Sequence, residues 1–348
     1  MNPLKLIKRL FIILGIVLVS IIVVINIPII SINHQASNTD YSNWMSETLS
    51  DNQTIITVKM LGAHDAFSKD IKLLSQPDIK APSIMTGASG FFIKGYSVKQ
   101  SVTQTADATE LLESGVRYLD VRLSLIDDEW VTKHNFVSSD FLMILEDIQT
   151  FLDENTGEFL ILDFQHIDGI DYDDDNDYQL FLNMLDTSGI LNYHYTSDIL
   201  PLHLLTYGDV TDSGTTSSVI IIDKFTKTDK NTLHYDTSIR SSWANTDSFD
   251  VVLEFLEDEK TLVETTTDGK QFVVMQAVTT MRMNPRGIID SLLKWSLVER
   301  AEKFNNYLIE YESFDNLLDA MPIVMVDYAN CGPFNDEIMT VIIDSNTN

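Results

Sequence analysis

Hydrophobic positions along this chain fall into two kinds of run. The first is a single long one: residues 10–31, LFIILGIVLVSIIVVINIPIIS, carry no ionisable side chain. As a helix this run spans roughly 30 Å, the thickness of a bilayer core. The second kind is short and β-rich: 54–60, 118–125, 159–164, 218–225, 271–278 and 322–328. These are too brief and too β-branched for helices and predict strands. Between them lie stretches with apolar residues at helical spacing. They are 103–114, 140–151 (Leu142, Ile144, Leu145, Ile148 and Phe151) and 288–311, the last long enough for two helices. Near-continuous apolar strands alternating with helices predict a parallel sheet covered on both faces. Six or more such units in about 300 residues fit a closed α/β barrel better than an open sheet.

Charge refines the N-terminal reading. Lys5, Lys8 and Arg9 precede the long run, and no Lys or Arg follows until Lys59. The positive-inside bias then puts the N-terminus in the cytoplasm and residues 32–348 outside the cell membrane. A cleaved signal peptide, giving a secreted protein, is the alternative. Signal-peptide apolar regions are usually shorter and end in small residues, so the length favours a single-pass anchor. The expected organisation is a basic N-terminus over 1–9, a transmembrane anchor over 10–31, a polar stalk over 32–43 and one catalytic domain over 44–348. Trp44 and Met45 begin the folded part.

The net charge is −29, and without the three basic flank residues 20 basic face 52 acidic residues. Such a chain is a poor partner for nucleic acid, which needs a basic surface. The same field slows approach to an anionic lipid surface unless local basic residues offset it. Cys331 is the only cysteine, so there is no internal disulfide and no multi-thiolate zinc site. The chain is expected to work as a monomer. The acidic run 168–177 places Asp171, Asp173 and Asp175 at the alternate spacing of a calcium loop. Asn176 and Leu182 stand where that loop needs glycine and an acid, which favours a solvated acidic loop.

Seven histidines are present, so their positions carry information. His64 and Asp65 follow the run 54–60. His134 closes the stretch 129–133. Asp327 ends the run 322–326. Arg122 lies within 118–125, two residues after Asp120. In an α/β barrel, residues at the C-terminal ends of strands form the active site. Two imidazoles, a guanidinium and carboxylates make a plausible set for cleaving a phosphodiester. One histidine would take a proton from the attacking hydroxyl and the other would protonate the leaving oxygen. The arginine would hold phosphate oxygens, and a carboxylate behind a histidine would fix its tautomer. A lone histidine after a strand is more often structural; the joint placement at successive strand ends weighs against that reading here.

These residues sit in a familiar pattern. The segments Asn43-Trp44-Met45, 61–68 (LGAHDAFS), 104–125, 127–136 (DDEWVTKHNF) and 323–328 (IVMVDY) resemble the X-domain of phosphatidylinositol-specific phospholipase C in its bacterial form. The similarity extends over roughly 41–335. Its specific part is a G-x-H-D-[SA] turn, a helix running into S-G-V-R-Y-L-D-V-R, and a histidine twelve residues past that arginine. The resemblance implies a distorted, incomplete barrel of the TIM type. It implies attack of the inositol 2-hydroxyl on phosphorus, release of diacylglycerol and formation of a cyclic phosphate. Carried over, His64 looks like the general base, His134 the general acid, and Arg122 the phosphate-binding cation. Asp65 looks like the carboxylate supporting the acid, and Asp327 the one orienting His64. Arg122 stands where calcium-dependent relatives carry an acid, so the chemistry is expected to need no metal and no cofactor.

There are departures. Gln165, beside Asp163 and His166, stands where bacterial members have a substrate-contacting lysine. Lys224 sits where another basic contact is expected. Trp243, Asn245 and Asp247 are candidates for the headgroup pocket. The leading expectation is metal-independent cleavage of phosphatidylinositol or a related phosphodiester lipid in membranes. The alternatives are a metal-dependent glycerophosphodiester- or sphingomyelin-type phosphodiesterase and a catalytically silent lipid- or glycan-binding surface module.

Overall fold

The computed structural model describes residues 3–26, 36–195, 200–227, 230–266, 269–281 and 297–347. In chain order the first elements are α1 (Pro3–Asn26), α2 (Trp44–Thr48), β1 (Met60–Ala63), α3 (Ser83–Thr86), α4 (Ala88–Lys99), α5 (Ala108–Glu113) and β2 (Val116–Ile126). Then come β3 (Glu129–His134), β4 (Phe136–Asp140), α6 (Phe141–Glu154), β5 (Phe159–Asp168), α7 (Asp175–Ser188), α8 (Tyr207–Thr211) and β6 (Ser218–Asp223). The remainder are β7 (Leu233–His234), α9 (Tyr235–Ser238), β8 (Ile239–Ser242), α10 (Phe249–Thr266), β9 (Phe272–Ala277), the helix Leu297–Ile309, the helix Phe314–Ala320, β10 (Ile323–Val326) and the helix Gly332–Thr347.

Eight strands form one curled parallel sheet in the order β7-β6-β5-β2-β1-β10-β9-β8, and β3 and β4 extend β2 as an antiparallel flap. The interior of the curl and the layer beneath the helices share one apolar core. β1, β2 and β10 lie side by side at its centre. The apolar face of α6 shows how the helices attach: Ile144, Leu145, Ile148, Phe151 and Leu152 are all buried. Full burial of each such side chain favours the fold by about 1.5–3 kcal/mol.

The sheet does not close into the expected full barrel. Its two edges are β7, only two residues long, and β8, whose Ile-Arg-Ser-Ser sequence offers little apolar surface. The four-residue α9 joins them, too short a crossover to bring parallel neighbours together. An incomplete barrel of the TIM type therefore describes the sheet better.

The expected transmembrane helix over 10–31 is not supported. The helix α1 carries Lys5, Lys8 and Arg9 in its first turns. From Leu10 to Asn26 it rises roughly 25 Å, short of a hydrocarbon core of roughly 30 Å. Residues 27–35 lie outside the described residues, and no helix among the described residues is long and apolar enough to cross a membrane. α1 runs alongside α4.

Other boundaries also shift. The first strand begins at Met60, and Ile55–Thr57 form a turn of 3-10 helix instead. The expected helix 103–114 starts only at Ala108, because Asp107 caps it: its carboxylate accepts from Glu110 N–H while Glu110 accepts from Asp107 N–H. Residues 103–106 are left outside the helix. Residues 288–296 fall outside the described residues, so only Leu297–Ile309 can be compared with the run 288–311. In the acidic loop, Asp174 caps α7 by accepting from Asn176 and Asp177 N–H, and Asp177 accepts from Asp171 N–H. The cluster thus serves a helix start, where acidic groups meet the positive end of the helix dipole.

Candidate active site

The three central strands deliver the candidate residues to one end of the sheet. His64 follows β1 directly, and its N–H donates to the Val326 carbonyl of β10. Asp327 follows β10. Asp120 and Arg122 are two apart on β2 and so share a face with Tyr118. His134 is the last residue of β3. Gly62 makes this crowding possible: a Cβ there would lie 2.8 Å from Tyr118 Cδ1.

The backbone around these residues is unusual. Asp65, Asn135 and Tyr328 have φ of 42°, 58° and 55°. Each immediately follows one of His64, His134 and Asp327. Left-handed backbone is costly for non-glycine residues and concentrates at functional sites.

His64 Nδ1 lies 2.7 Å from Asp327 Oδ1, and its Nε2 lies 3.1 Å from Arg122 Nη2. A guanidinium only donates, so in the neutral ring Nε2 accepts and Nδ1 carries the proton that goes to Asp327. This is the tautomer a base needs, with its lone pair on the nitrogen beside Arg122. The second ring is His134, whose centroid is 6.2 Å from that of His64. Its Nδ1 faces two acceptors, the Ser101 carbonyl at 2.9 Å and Asp65 Oδ2 at 3.2 Å. That nitrogen must carry hydrogen, which leaves Nε2 for the pocket. Arg122 pairs through Nε with Asp65 and through Nη2 with Asp120 at 3.1 Å.

Charge is layered. The Asp65 and Asp120 side chains are fully buried, whereas His64, Arg122 and His134 are 16%, 21% and 21% exposed. A very acidic chain thus turns basic side chains toward the cavity and keeps the carboxylates behind them. Burial opposes the charged form of His64, but Asp65 and Asp327 outweigh it and push its pKa up to about 9. Burial, helped by Arg122 and His64, holds His134 below its ordinary value despite Asp65. Asp65 is buried yet lies well below the usual carboxylate range, because Arg122, His134 and His64 surround it.

A cavity of about 420 Å³ opens over this cluster. His64, Arg122, His134 and Asp327 line it, as do Gln165, Lys224 and Trp243. Asp65 and Asp163 do not; both stand behind its wall. Asp163 accepts from Tyr118 Oη at 2.5 Å and from Gln165 Nε2 at 3.2 Å, so it holds Gln165 rather than facing the cavity. Burial raises the Asp163 pKa to about 7, with Asp120 adding to the effect. Lys224 Nζ sits 4.3 Å over the Tyr235 ring, and Trp243 donates to Thr280 Oγ1. Asn245 and Asp247 lie off the cavity lining.

Several contributors escaped the sequence reading. Gln104, Asp120 and the Ser101 carbonyl support the two histidines, and Tyr235, Ser241 and Gln276 line the far half of the cavity. Asp120 had a visible signal, its i, i+2 relation to Arg122 on a strand. Gln104 and Ser101 had none: Gln104 falls within the helix expected over 103–114, and Ser101 acts through its backbone carbonyl.

Among the described residues, His64, Asp65 and Asp120 form the one group of acidic or imidazole side chains close enough to share an ion, with ligand atoms within 4.8 Å of one another. The Arg122 guanidinium already pairs with both carboxylates and with His64 Nε2. A cation entering this group would have to displace a fixed positive charge, so the donor set fits a metal poorly.

No family model matches the chain. Among curated proteins it is 33% identical over 141 residues to the variant-surface-glycoprotein phospholipase C of Trypanosoma brucei brucei, covering 36% of this chain and 39% of that protein. A PI-PLC X-box domain-containing protein of Dictyostelium discoideum is 24% identical over 316 residues, covering 85% of this chain and 40% of the relative. The chain thus spans about 40% of the length of these relatives. Among solved structures, a mutant phosphatidylinositol-specific phospholipase C from Staphylococcus aureus superposes with a TM-score of 0.60 at 17% identity, covering 88% of this chain and 98% of that one. The Listeria monocytogenes enzyme gives 0.57 at 18% identity, covering 88% and 99%. This chain is similar in sequence to PI-PLC X-domain proteins and has the fold of the bacterial phosphatidylinositol-specific phospholipases C.

Proposed function

We propose that this chain cleaves the phosphodiester of phosphatidylinositol or a closely related lipid without a metal. The observation that carries the reading is the contact of one nitrogen, His64 Nε2, with Arg122 Nη2 at 3.1 Å, while Nδ1 is held by Asp327 at 2.7 Å. A proton acceptor and a phosphate-binding cation are thereby presented side by side.

In the proposed reaction His64 Nε2 takes the proton of a hydroxyl vicinal to the phosphate ester. That oxygen attacks phosphorus, and the ester bond to the lipid alcohol breaks. His134 Nε2 gives its proton to the leaving oxygen. Arg122 holds non-bridging oxygens and offsets the charge that develops on them. Asp65 keeps Arg122 and His134 oriented from behind. The attacking hydroxyl and the leaving group belong to one substrate, so the product is a cyclic phosphate.

The exposed apolar surface of the segment 73–92 supports a lipid substrate. Leu73, Leu74, Ile84, Phe91 and Phe92 are exposed, with Leu74 and Phe91 at 91% and 81%. Pro82 and Met85, from the same segment, line the cavity. Residues 69–100 carry five lysines, of which Lys69 pairs with Asp107 and Glu110, Lys72 with Asp70 and Lys80 with Asp168. An exposed apolar patch on the segment that lines part of the cavity is matched to a lipid surface.

The test is turnover of phosphatidylinositol vesicles with and without EDTA. Parent activity that survives EDTA, and falls at least ~10²-fold in both His64→Ala and His134→Ala, is expected. Activity abolished by EDTA and restored by Mg²⁺ or Ca²⁺ would favour metal-dependent phosphodiester cleavage. Vesicle binding without turnover in the parent would favour a silent binding module.

A further inference from the structure

The short segment 101–104, Ser-Val-Thr-Gln, leads from α4 to the cap of α5 and is almost wholly buried. It touches every loop that carries a proposed catalytic residue. The Ser101 carbonyl accepts from His134 Nδ1 at 2.9 Å. The Val102 carbonyl accepts from Tyr328 Oη at 2.5 Å, and the Thr103 carbonyl from Tyr328 N–H at 2.7 Å. Thr103 Oγ1 donates to the Asp65 carbonyl at 3.2 Å.

Gln104 completes the set. Its Nε2 donates to the His64 carbonyl at 3.0 Å and to the Val326 carbonyl at 2.9 Å, and its Oε1 accepts from Ala329 N–H at 3.0 Å. The side chain is fully buried and every polar hydrogen and its oxygen is used. The position of these contacts is informative. β1 and β10 end their ladder where His64 N–H meets Val326 C=O. Beyond that point the strands part, and Asp65 and Tyr328 take left-handed backbone. The Gln104 amide supplies the next rung, between two loops that have no backbone bond of their own there among the described residues.

We propose that residues 101–104 form a strap that sets the spacing of the two imidazoles, with Gln104 as the positioning residue that holds the His64 and Asp327 loops in register. The proposal rests on the function given above. Gln104 touches no substrate; it acts through the backbone of His64 and of the residues flanking Asp327. Misplacement by about 1 Å can cost ~10²-fold in rate, so loss of this rung appears in turnover rather than in binding.

The experiment compares full-length parent with Gln104→Leu, which keeps the side-chain bulk and removes all three bonds. It measures kcat and KM on phosphatidylinositol vesicles and the low-field proton resonance of His64 Nδ1–H. The expected result is a fall in kcat of at least ~30-fold, KM within about threefold, and loss or broadening of that resonance. A folded Gln104→Leu with parental kcat and an unchanged resonance would overturn the proposal. So would a loss confined to KM. If the leucine variant does not fold, Gln104→Asn, polar but too short to bridge both loops, is read by the same criteria. The resonance needs no turnover. A parent that cleaves nothing therefore sinks the proposed function, and the resonance alone then decides on the strap.

Discussion

His64 and Asp327 meet at 2.7 Å although 263 positions separate them in the chain. The contact exists because β1 and β10 are parallel neighbours in register, with Ala63 opposite Val326, so the residues that follow each strand emerge together. Replacing Asp327 by Asn removes the charge that stabilises the His64 imidazolium and disturbs the tautomer. A fall in kcat of ~10²–10⁴-fold is expected, by analogy with the acid of a catalytic triad.

The pH profile adds a directional expectation. His64, the proposed base, has its pKa pushed up to about 9, while His134, the proposed acid, is held below its ordinary value. Near neutrality the reactive form, neutral His64 with charged His134, is the minority one. In such a pair the acidic limb of the bell reports His134 and the alkaline limb His64. Asp327→Asn should therefore move the alkaline limb toward neutrality; a limb that stays in place would remove Asp327 as the partner of His64. The same raised pKa has a consequence for stability. Its stabilising contribution is complete below the unfolded imidazole value of about 6.5 and is lost as pH rises through about 9.

At the opposite end of the sheet, Arg117 is a structural counterpart to Arg122. It is fully buried, pairs with Glu158 at 2.8 Å and donates to the carbonyls of Tyr41, Ser42, Leu112 and Val116. Arg117→Met leaves Glu158 buried without its cation and should cost about 3–5 kcal/mol in urea unfolding. The double variant with Glu158→Leu should recover a substantial part of that loss. Equal stability of the single variant and the parent would contradict this reading of the pair.

Phe91 and Phe92 stand in edge contact with each other on the exposed side of α4. Replacing both by Ser should weaken sedimentation with phosphatidylinositol vesicles at least ~10-fold, since each buried phenyl ring is worth about 1.5–3 kcal/mol. Turnover of a monomeric short-chain substrate should fall far less. Undiminished vesicle binding would place the lipid-facing surface elsewhere.

Much of this arrangement was legible in the sequence because it follows from strand ends. His64, His134 and Asp327 could be placed from the runs that precede them, and Arg122 from its spacing to Asp120. The rest depended on contacts between distant segments. Asp163 reads like a cavity residue because it lies beside Gln165, yet it stands behind the wall, where it accepts from Tyr118 Oη on the neighbouring strand. The strap 101–104 was invisible because its contacts are to segments distant in the chain, and its second half falls within the expected helix 103–114, which the capping box at Asp107 starts only at Ala108. β8 was missed because its sequence is too polar to read as a strand. The 10–31 run misled in the other direction: apolarity alone does not fix where a helix begins, and α1 begins among its charges.

The most direct measurement is ³¹P NMR of the purified protein with phosphatidylinositol vesicles. Formation of a five-membered cyclic phosphate signal in the parent, and its absence in His64→Ala, is the expected result, because in the proposed reaction His64 Nε2 deprotonates a hydroxyl of the substrate itself. Direct appearance of an acyclic phosphomonoester with no cyclic species, or a cyclic product formed equally well without the His64 imidazole, would contradict it.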